Sequence, residues 1–261
     1  MSAAIQVEGL AYAAGTTEIL RDVSFTVDQG HYVSIIGPNG AGKTSLIRCL
    51  NRLSRASAGR IAIFGKALAD YTQRDLAKDI SYVPQADTGY YPFTVYEFVL
   101  MGRYPHLSPF SSVGPDDRAK VDESLELTGT AAFADRSIGT LSGGERQNVF
   151  IAAALTQGAR ILLLDEPTTF LDYAHQVDVL ALLKRLNVDQ GITIAAVTHD
   201  VNSAVLTSNR VLAIKAGGVA FDGTPAELLS DDVLEKVYET KFDLVPHGDS
   251  DTPLVVPRGR A

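Results

Sequence analysis

Residues 37–44, with the sequence GPNGAGKT, fit the pattern G-x-x-x-x-G-K-[ST]. The strand-like run YVSII (32–36) precedes this segment, and the helix-like run TSLIRCLNRL (44–53) follows it. Glycines let a backbone curl so that successive N–H groups point at phosphate oxygens, and the start of a helix adds a positive dipole. We therefore expect a nucleotide phosphate cradle, in which Lys43 reaches the β and γ phosphates and Thr44 holds Mg²⁺. The predicted cradle residues are Gly37, Pro38, Asn39, Gly40, Ala41, Gly42, Lys43 and Thr44.

A carboxylate pair, Asp165 and Glu166, ends the apolar run ILLL (161–164). Ligands bind at the carboxyl ends of parallel strands, so a pair at such an end would lie beside the phosphate cradle. We expect Asp165 to bind Mg²⁺ and Glu166 to act as the general base toward an attacking water. A carboxylate pair without other motifs is more often a solvated strand end. Together with the cradle, it predicts nucleotide hydrolysis.

A second glycine-bearing segment is LSGGERQ (141–147). Ser142 and Glu145 have the spacing of a capping box, which predicts that a helix begins here. Gly143 and Gly144 would let a ligand approach the backbone N–H groups at the positive end of that helix. The sequence therefore predicts a second anion site about a hundred residues from the first. A single bound nucleotide would need only one of the two sites.

LSGGERQ resembles the signature of ABC-type ATPases, and the order of the other motifs is similar to that family across nearly the whole chain. In that family the signature of one subunit faces the nucleotide held by the cradle of the other. Two ATP molecules then lie in a head-to-tail dimer. The resemblance therefore implies a homodimer on ATP binding, in which Ser142, Gly143 and Gly144 serve the partner's ATP.

The same resemblance implies roles for five further residues. Gln85 in YVPQ matches a glutamine that contacts Mg²⁺ and water and senses the transport subunits, and His199 in VTHD matches the histidine that bonds the γ-phosphate. Ser45 matches a phosphate-contacting hydroxyl, and Asp172 in TTFLD matches a carboxylate that links the two active sites. Tyr12 matches an adenine-stacking aromatic within a slightly longer segment; a tyrosine that covers a sheet edge is the alternative.

Strand-like runs at 4–12, 23–27 and 32–36 predict a small antiparallel β layer, and alternating helix and strand patterns follow. Continuous apolar runs at 160–166 and 192–200 are typical of buried parallel strands. With the resemblance, these patterns predict an α/β P-loop ABC-type ATPase with a mixed, RecA-like β core. The expected division is a nucleotide-binding core with the β layer (1–85 and 159–242), an inserted helical lobe (86–158) and a C-terminal tail (243–261) with a possible hairpin at 248–251.

Composition excludes several classes of protein. A net charge of −8 over 261 residues, without a long basic run, argues against nucleic acid as a partner. The single cysteine, Cys49, allows no intrachain disulfide and favours a reducing compartment. The start of the chain lacks the features of a secretory signal, and its longest apolar runs are far shorter than the roughly 18 residues that a membrane span needs. Any membrane-spanning part must therefore come from other subunits.

The segments TVYEFVLMGRYPH (94–106) and EPTTFLDYAHQVDVL (166–180) are similar to ATPases of bacterial importers for iron(III)-siderophore, haem and vitamin B12, and AAVTHDVNSA (195–204) agrees. This resemblance implies a peripheral ATPase on the cytoplasmic face of the cell membrane. Its partners would be two integral membrane permease subunits and, indirectly, a periplasmic or extracellular substrate-binding protein. In the stretch 90–110, Arg103, Tyr104 and His106 are expected to contact the permease, unless the aromatic residues only pack the lobe.

Two other functions fit the same nucleotide motifs. One is a soluble ABC-type ATPase of iron–sulfur cluster assembly or another cytosolic machine, which would not need the segment GRYPH (102–106). The other is a nucleotide-gated clamp without turnover, which the presence of Glu166 disfavours.

Overall fold

The computed structural model describes residues 2–85, 89, 91–108, 112–230, 232–248 and 250–258. The strands in these residues are β1 (Ala3–Ala14), β2 (Thr17–Asp28), β3 (Tyr32–Ile36), β4 (Ala58–Ile63), β5 (Lys66–Ala67), β6 (Ile80–Val83), β7 (Ile161–Asp165), β8 (Thr193–Val197), β9 (Arg210–Lys215), β10 (Gly218–Gly223), β11 (Phe242–His247) and β12 (Ser250–Pro257). The helices are α1 (Lys43–Leu50), α2 (Gln73–Asp79), α3 (Val95–Met101), α4 (Pro115–Leu127), α5 (Gly143–Thr156), α6 (Tyr173–Gln190), α7 (Val201–Thr207), α8 (Pro225–Leu228) and α9 (Val233–Tyr238).

The amino-terminal layer is an antiparallel sheet with the strand order β2-β1-β4-β5. Its first two strands are longer than the sequence pattern predicts, because a tight turn at Gly15, with a φ of 62°, lets Ala14 pair directly with Thr17. Alternate side chains of β1, such as Ile5 and Val7, are buried against the central sheet. The predicted antiparallel β layer is therefore confirmed for the runs at 4–12 and 23–27. The run at 32–36, predicted for the same layer, is instead β3 of the central sheet, and β4 and β5 complete the layer.

The central sheet has the order β10-β9-β3-β8-β7-β6. Neighbouring pairs from β9 to β6 are parallel, and β10 pairs with β9 in the antiparallel direction, so the sheet is mixed as predicted. All residues of β3, β7 and β8 are buried. Helices or the β layer cover both faces, which explains why these strands appear in the sequence as unbroken apolar runs.

Successive side chains of the central strands point to opposite faces of the sheet. In β7, Leu163 joins the cluster shared with α1 and the β layer, whereas Leu162 and Leu164 join the cluster shared with α5 and α6. This double burial fixes the register of the strands, since a slip of one residue would exchange the two faces. The carboxyl ends of β3, β8, β7 and β6 are thereby held side by side.

Helices α3, α4 and α5 pack around a separate apolar cluster that includes Val95, Val121 and Val149. Thr94 caps α3 and Ser142 caps α5, each with the predicted capping box. The other face of α5 contributes Phe150 and Ile151 to the cluster beneath the central sheet, so α5 belongs to both packing units. The start of the predicted lobe at 86–88 and position 90, and the end of the stretch 90–110, lie outside the described residues.

The expectation that Arg103 is presented to a partner is wrong. Its guanidinium donates from Nε to Asp117 Oδ1 at 2.9 Å and from Nη1 to the Thr156 carbonyl at 2.9 Å. Only 14% of the Arg103 side chain is exposed. Arg103 therefore joins α4 and α5 inside the lobe, because a planar guanidinium with several fixed donors can satisfy both partners at once. His106 likewise contacts the Gln157 carbonyl, whereas Tyr104 is exposed.

After α9, strands β11 and β12 pair as an antiparallel hairpin, with Phe242 opposite Pro257. Within the predicted turn at 248–251, Asp249 lies outside the described residues, as do 259–261 of the tail. Asn202 of α7 bonds both the N–H and the carbonyl of Val255, which attaches the hairpin to the central domain. In the described part of the chain, every helix is too short or too polar to traverse a lipid bilayer.

Candidate active site

The phosphate-binding loop leaves the carboxyl end of β3 at Gly37, which has a φ of 139°. A Cβ atom at this position would lie 2.0 Å from the carbonyl oxygen of Ile214 in β9, so no side chain fits. At the other end of the loop, Gly42 has a φ of 103° and a Cβ there would lie 2.7 Å from Leu20. Only glycine therefore satisfies both the close approach and the left-handed backbone. The loop leads directly into α1, so its N–H groups lie at the amino-terminal end of that helix.

Lys43 is buried, with 5% of the residue exposed. Its Nζ donates to the Gly37 carbonyl at 2.8 Å and to the Pro38 carbonyl at 2.9 Å. Burial lowers the pKa of this ammonium, and the nearby carboxylates of Glu166 and Asp165 oppose that shift. The cation thus lies at the mouth of the loop, beside both carboxylates.

Thr44 and Asp165 meet across the gap between α1 and β7, where Thr44 Oγ1 donates to Asp165 Oδ1 at 3.0 Å. Burial raises the pKa of Asp165, while the hydrogen bond from Thr44 lowers it. A hydroxyl and a carboxylate oxygen side by side form a hard oxygen donor set, which fits Mg²⁺. Two of the three residues predicted to contact Mg²⁺, Thr44 and Asp165, are therefore adjacent. The third, Gln85, bonds Glu166 instead.

Glu166 follows Asp165 and leaves the strand with a φ of 52°, a left-handed conformation that is uncommon for a residue with a side chain. Its Oε2 accepts hydrogen bonds from Gln85 Nε2 at 2.9 Å and from Thr169 Oγ1 at 3.0 Å. Its Oε1 contacts His199 Nε2. Only 12% of the side chain is exposed. Two predicted residues, Gln85 and His199, therefore converge on the predicted base. Thr169 was not predicted; its position three residues after Glu166 is the only signal in the sequence.

Lys43, Thr44, Gln85, Glu166 and His199 share one cleft of about 500 Å³, and Asp165 lies behind Thr44 outside its lining. Its lining comprises Ile19, Asn39, Gly40, Ala41, Gly42, Lys43, Thr44, Ser45, Gln85, Glu166 and His199. Because β3, β8, β7 and β6 are neighbours in that order, their carboxyl ends supply the loop, His199, Asp165 with Glu166, and Gln85 along one edge. The arrangement can bind a polyphosphate and can activate a water beside it.

Ile19 of β2 lines the cleft, and no sequence pattern identified it. Tyr12, which pairs with Leu20 on the neighbouring strand, packs against the core as a partly buried side chain. Among the described residues that line the cleft, the β layer contributes Ile19 and not Tyr12. Adenine stacking by Tyr12 therefore stays a prediction.

The second glycine segment lies at the start of α5 and outside the cleft lining of its own chain. The Ser142 hydroxyl accepts from Glu145 N at 3.3 Å, and Glu145 Oε2 accepts from Ser142 N at 2.7 Å. Asp172 caps α6 nearby, accepting from His175 N at 2.9 Å and contacting the His175 ring at 2.7 Å. The backbone hydrogen bond from His175 is the main reason that the pKa of Asp172 is lowered.

His175 contacts Asp172 and lies against Gly144, so it connects the start of α6 with the start of α5. Its position also explains why residue 144 is a glycine. A Cβ on Gly144 would lie 2.1 Å from His175 Cδ2, whereas a Cβ on Gly143 would have its nearest contact, Leu171, at 3.5 Å. The sequence pattern attributes both glycines to ligand access. The structure shows that Gly144 is also required by packing against α6.

This packing predicts unequal effects of the two alanine substitutions. Gly144→Ala should lower the free energy of unfolding by about 1–3 kcal/mol, because His175 must move and its contact with Asp172 is lost. Gly143→Ala should be sterically tolerated. Urea unfolding of both variants measures the difference, and equal stability of the two would contradict the role given to His175.

Comparison with known proteins gives concordant matches. The ABC transporter family profile matches residues 20–169. The iron(3+)-hydroxamate import ATP-binding protein FhuC of Bacillus subtilis (strain 168) is 40% identical over 96% of this chain and 93% of its own length. The ferric enterobactin transport ATP-binding protein FepC of Escherichia coli (strain K12) is 37% identical over 99% of this chain and 95% of its own length. Among solved structures, the dimeric post-hydrolysis state of the ATP-binding cassette MJ0796, bound to ADP and Pi, superposes with a TM-score of 0.73 at 28% identity, covering 85% of this chain and 98% of that one.

Proposed function

This chain belongs to the ABC transporter family, and we propose that its cleft hydrolyses ATP to drive an importer of a metal chelate. One observation carries the catalytic part: Gln85, Thr169 and His199 all contact the carboxylate of Glu166, in the same cleft as Lys43. Such convergence orients a carboxylate toward a water beside the terminal phosphate, as a general base requires. The same cluster argues against a clamp without turnover.

In this proposal, Lys43 and the loop N–H groups bind the β and γ phosphates of ATP. Thr44 and Asp165 would hold Mg²⁺, which when bound neutralises charge on the phosphates. Glu166 accepts the proton of the attacking water, and Gln85 orients that water. His199 contacts Glu166 through Nε2, and in this proposal it bonds the γ-phosphate once ATP is bound. Ser45 lines the same cleft as a further hydroxyl donor.

Two copies of the chain would close around ATP. Ser142, Gly143, Gly144 and Asp172 lie outside the cleft of their own chain, which is where residues that serve a partner's nucleotide would be found. Phe170 and Tyr173, on either side of Asp172, are 83% and 82% exposed. Exposed aromatic side chains are typical of interfaces. The similar cassette MJ0796 is a dimer in its structure with ADP and Pi, which supports a dimer of this chain.

The permease subunits would dock beside Gln85. A groove of about 200 Å³ is lined by Pro84, Tyr91, Phe98, Met101 and Phe150, among others. The rings of Tyr91, Phe98 and Phe150 pack with centroids 5.3–5.6 Å apart and form its apolar floor. Pro84 immediately precedes Gln85, so a helix seated in this groove could shift the Gln85 contact with Glu166. In this proposal the permease contacts the groove and not Arg103. The chain lies on the cytoplasmic face of the membrane as a peripheral subunit.

The cargo is proposed from the relatives. FhuC and FepC are named for iron(3+)-hydroxamate import and ferric enterobactin transport. We infer an iron(III)-siderophore, with haem or cobalamin as alternatives, delivered by an external binding protein. The competing function is a soluble ATPase of iron–sulfur cluster assembly.

Uptake of labelled iron–siderophore, haem and cobalamin should be measured in cells that lack this chain. We expect loss of one of the three activities, restored by the wild-type chain but not by Glu166→Gln. Copurification with a permease distinguishes an importer from the soluble alternative. Normal uptake of all three substrates would contradict the transport proposal.

A further inference from the structure

The carboxyl-terminal part of the chain reaches the first residue of the phosphate-binding loop. The Gly37 N–H donates to the hydroxyl oxygen of Tyr238, the last residue of α9, at 3.1 Å. The two residues are 201 positions apart in sequence. A side chain from outside the nucleotide motifs thus bonds the backbone of the loop where it leaves β3.

Gly37 is constrained from three directions. Its N–H meets Tyr238, its Cα faces the Ile214 carbonyl too closely for a side chain, and its carbonyl accepts from Lys43. The Lys43 bond competes with phosphate, because an ammonium that turns toward bound phosphate oxygens leaves the loop carbonyls. Tyr238 would then be the only side chain that still holds Gly37 by a hydrogen bond, among the contacts of the described residues.

Tyr238 is itself held in place. Its ring packs edge-to-face against Phe242, with centroids 6.0 Å apart, and joins the cluster that contains Ile36, the residue before Gly37. At the helix end, Lys215 of β9 pairs with the exposed side chain of Glu239 at 2.8 Å and also donates to the Lys236 carbonyl. Burial raises the pKa of Tyr238 to about 12, so the hydroxyl is neutral at physiological pH. The hydroxyl is therefore presented to Gly37 by a packed ring.

We propose that Tyr238 is a positioning residue of the ATP site, whose hydroxyl sets the direction in which the chain enters the phosphate-binding loop. This inference rests on the proposed ATPase function. It assigns to α9, a segment without a nucleotide motif, an effect on ATP affinity that acts through Gly37. A purely structural tyrosine would stabilise the fold without changing that affinity.

The test is Tyr238→Phe, which removes one oxygen and keeps the ring. Losing the partner of one loop N–H should weaken ATP binding about three- to tenfold, the range expected for one hydrogen bond. The KM for ATP should rise by a similar factor, with a much smaller change in kcat. Titration with a fluorescent ATP analogue and steady-state hydrolysis measure the two quantities.

Tyr32→Phe is the matched control. Tyr32 lies at the opposite end of β3, and its hydroxyl bonds Thr207 away from the loop. This variant should lose thermal stability without a change in ATP affinity. Phe242→Leu provides a second test of the same support, since it loosens the Tyr238 ring while keeping the hydroxyl, and it should raise the KM in the same direction.

The possible outcomes separate the two proposals. If the wild-type chain fails to bind the ATP analogue, the ATPase function itself is wrong. If the wild type binds but Tyr238→Phe binds equally well, the positioning role is wrong. Equal losses of affinity in Tyr238→Phe and Tyr32→Phe would also overturn it, because the effect would then be general destabilisation.

Discussion

Glu166→Gln should lower ATP turnover by about 10²- to 10⁴-fold while leaving ATP binding intact. The amide cannot accept the proton of the attacking water, yet it has nearly the same size as the carboxylate. Its oxygen can still accept from Gln85 and Thr169. Its NH₂ group can face His199, whose ring can present either an N–H or a lone pair. The cleft should therefore keep its shape and lose only the base.

Phosphate release from the purified variant measures turnover, and a sizing column run with ATP should show a trapped dimer. Glu227→Gln is the matched control, because it makes the same chemical change in the capping box of α8, where glutamine is also tolerated. That control should hydrolyse ATP at the wild-type rate. Normal hydrolysis by Glu166→Gln, with the protein remaining a monomer, would refute the assignment of the base.

Lys43→Ala should weaken ATP binding by about 10²-fold or more, since hydrogen bonds to charged groups contribute about 1.5–3 kcal/mol each and the ammonium is expected to make more than one. The loss is compounded by the two carboxylates, Asp165 and Glu166, whose negative charge near the phosphates would no longer be offset. The substitution also frees the Gly37 and Pro38 carbonyls, so the loop becomes less defined.

Isothermal titration with ATP, combined with a melting curve of the free variant, separates lost binding from lost folding. Lys184→Ala is the control, since Lys184 is an exposed residue on α6 outside the cleft. It should bind ATP as the wild type does. Retained tight binding by Lys43→Ala in a folded protein would show that the loop is not the phosphate cradle.

The phosphate cradle was predictable because its residues, 37–44, are close in sequence, whereas the roles of Gln85 and His199 came from the resemblance to a family. The cradle depends on glycines at fixed offsets between a strand and a helix, and these offsets act through local backbone geometry. The capping boxes at Thr94 and Ser142 are equally local, and both are present. The buried position of Arg103 was not predictable, because exposure depends on what packs beside a residue, and its partners Asp117 and Thr156 are 14 and 53 positions away.

The sequence by itself determined the phosphate-binding loop, the buried strands around it, the capping boxes and the family, because apolar runs, glycine positions and caps act over a few residues. It did not predict β9, β10 or α9. Only the tertiary structure decided that β3, β8, β7 and β6 lie side by side, and hence that Gln85 and His199 meet at Glu166. It also decided that His175 requires Gly144 and that Tyr238 reaches Gly37. Each of these contacts joins residues far apart in sequence. Each depends on the order of the strands and on which helices pack together, which no local pattern encodes.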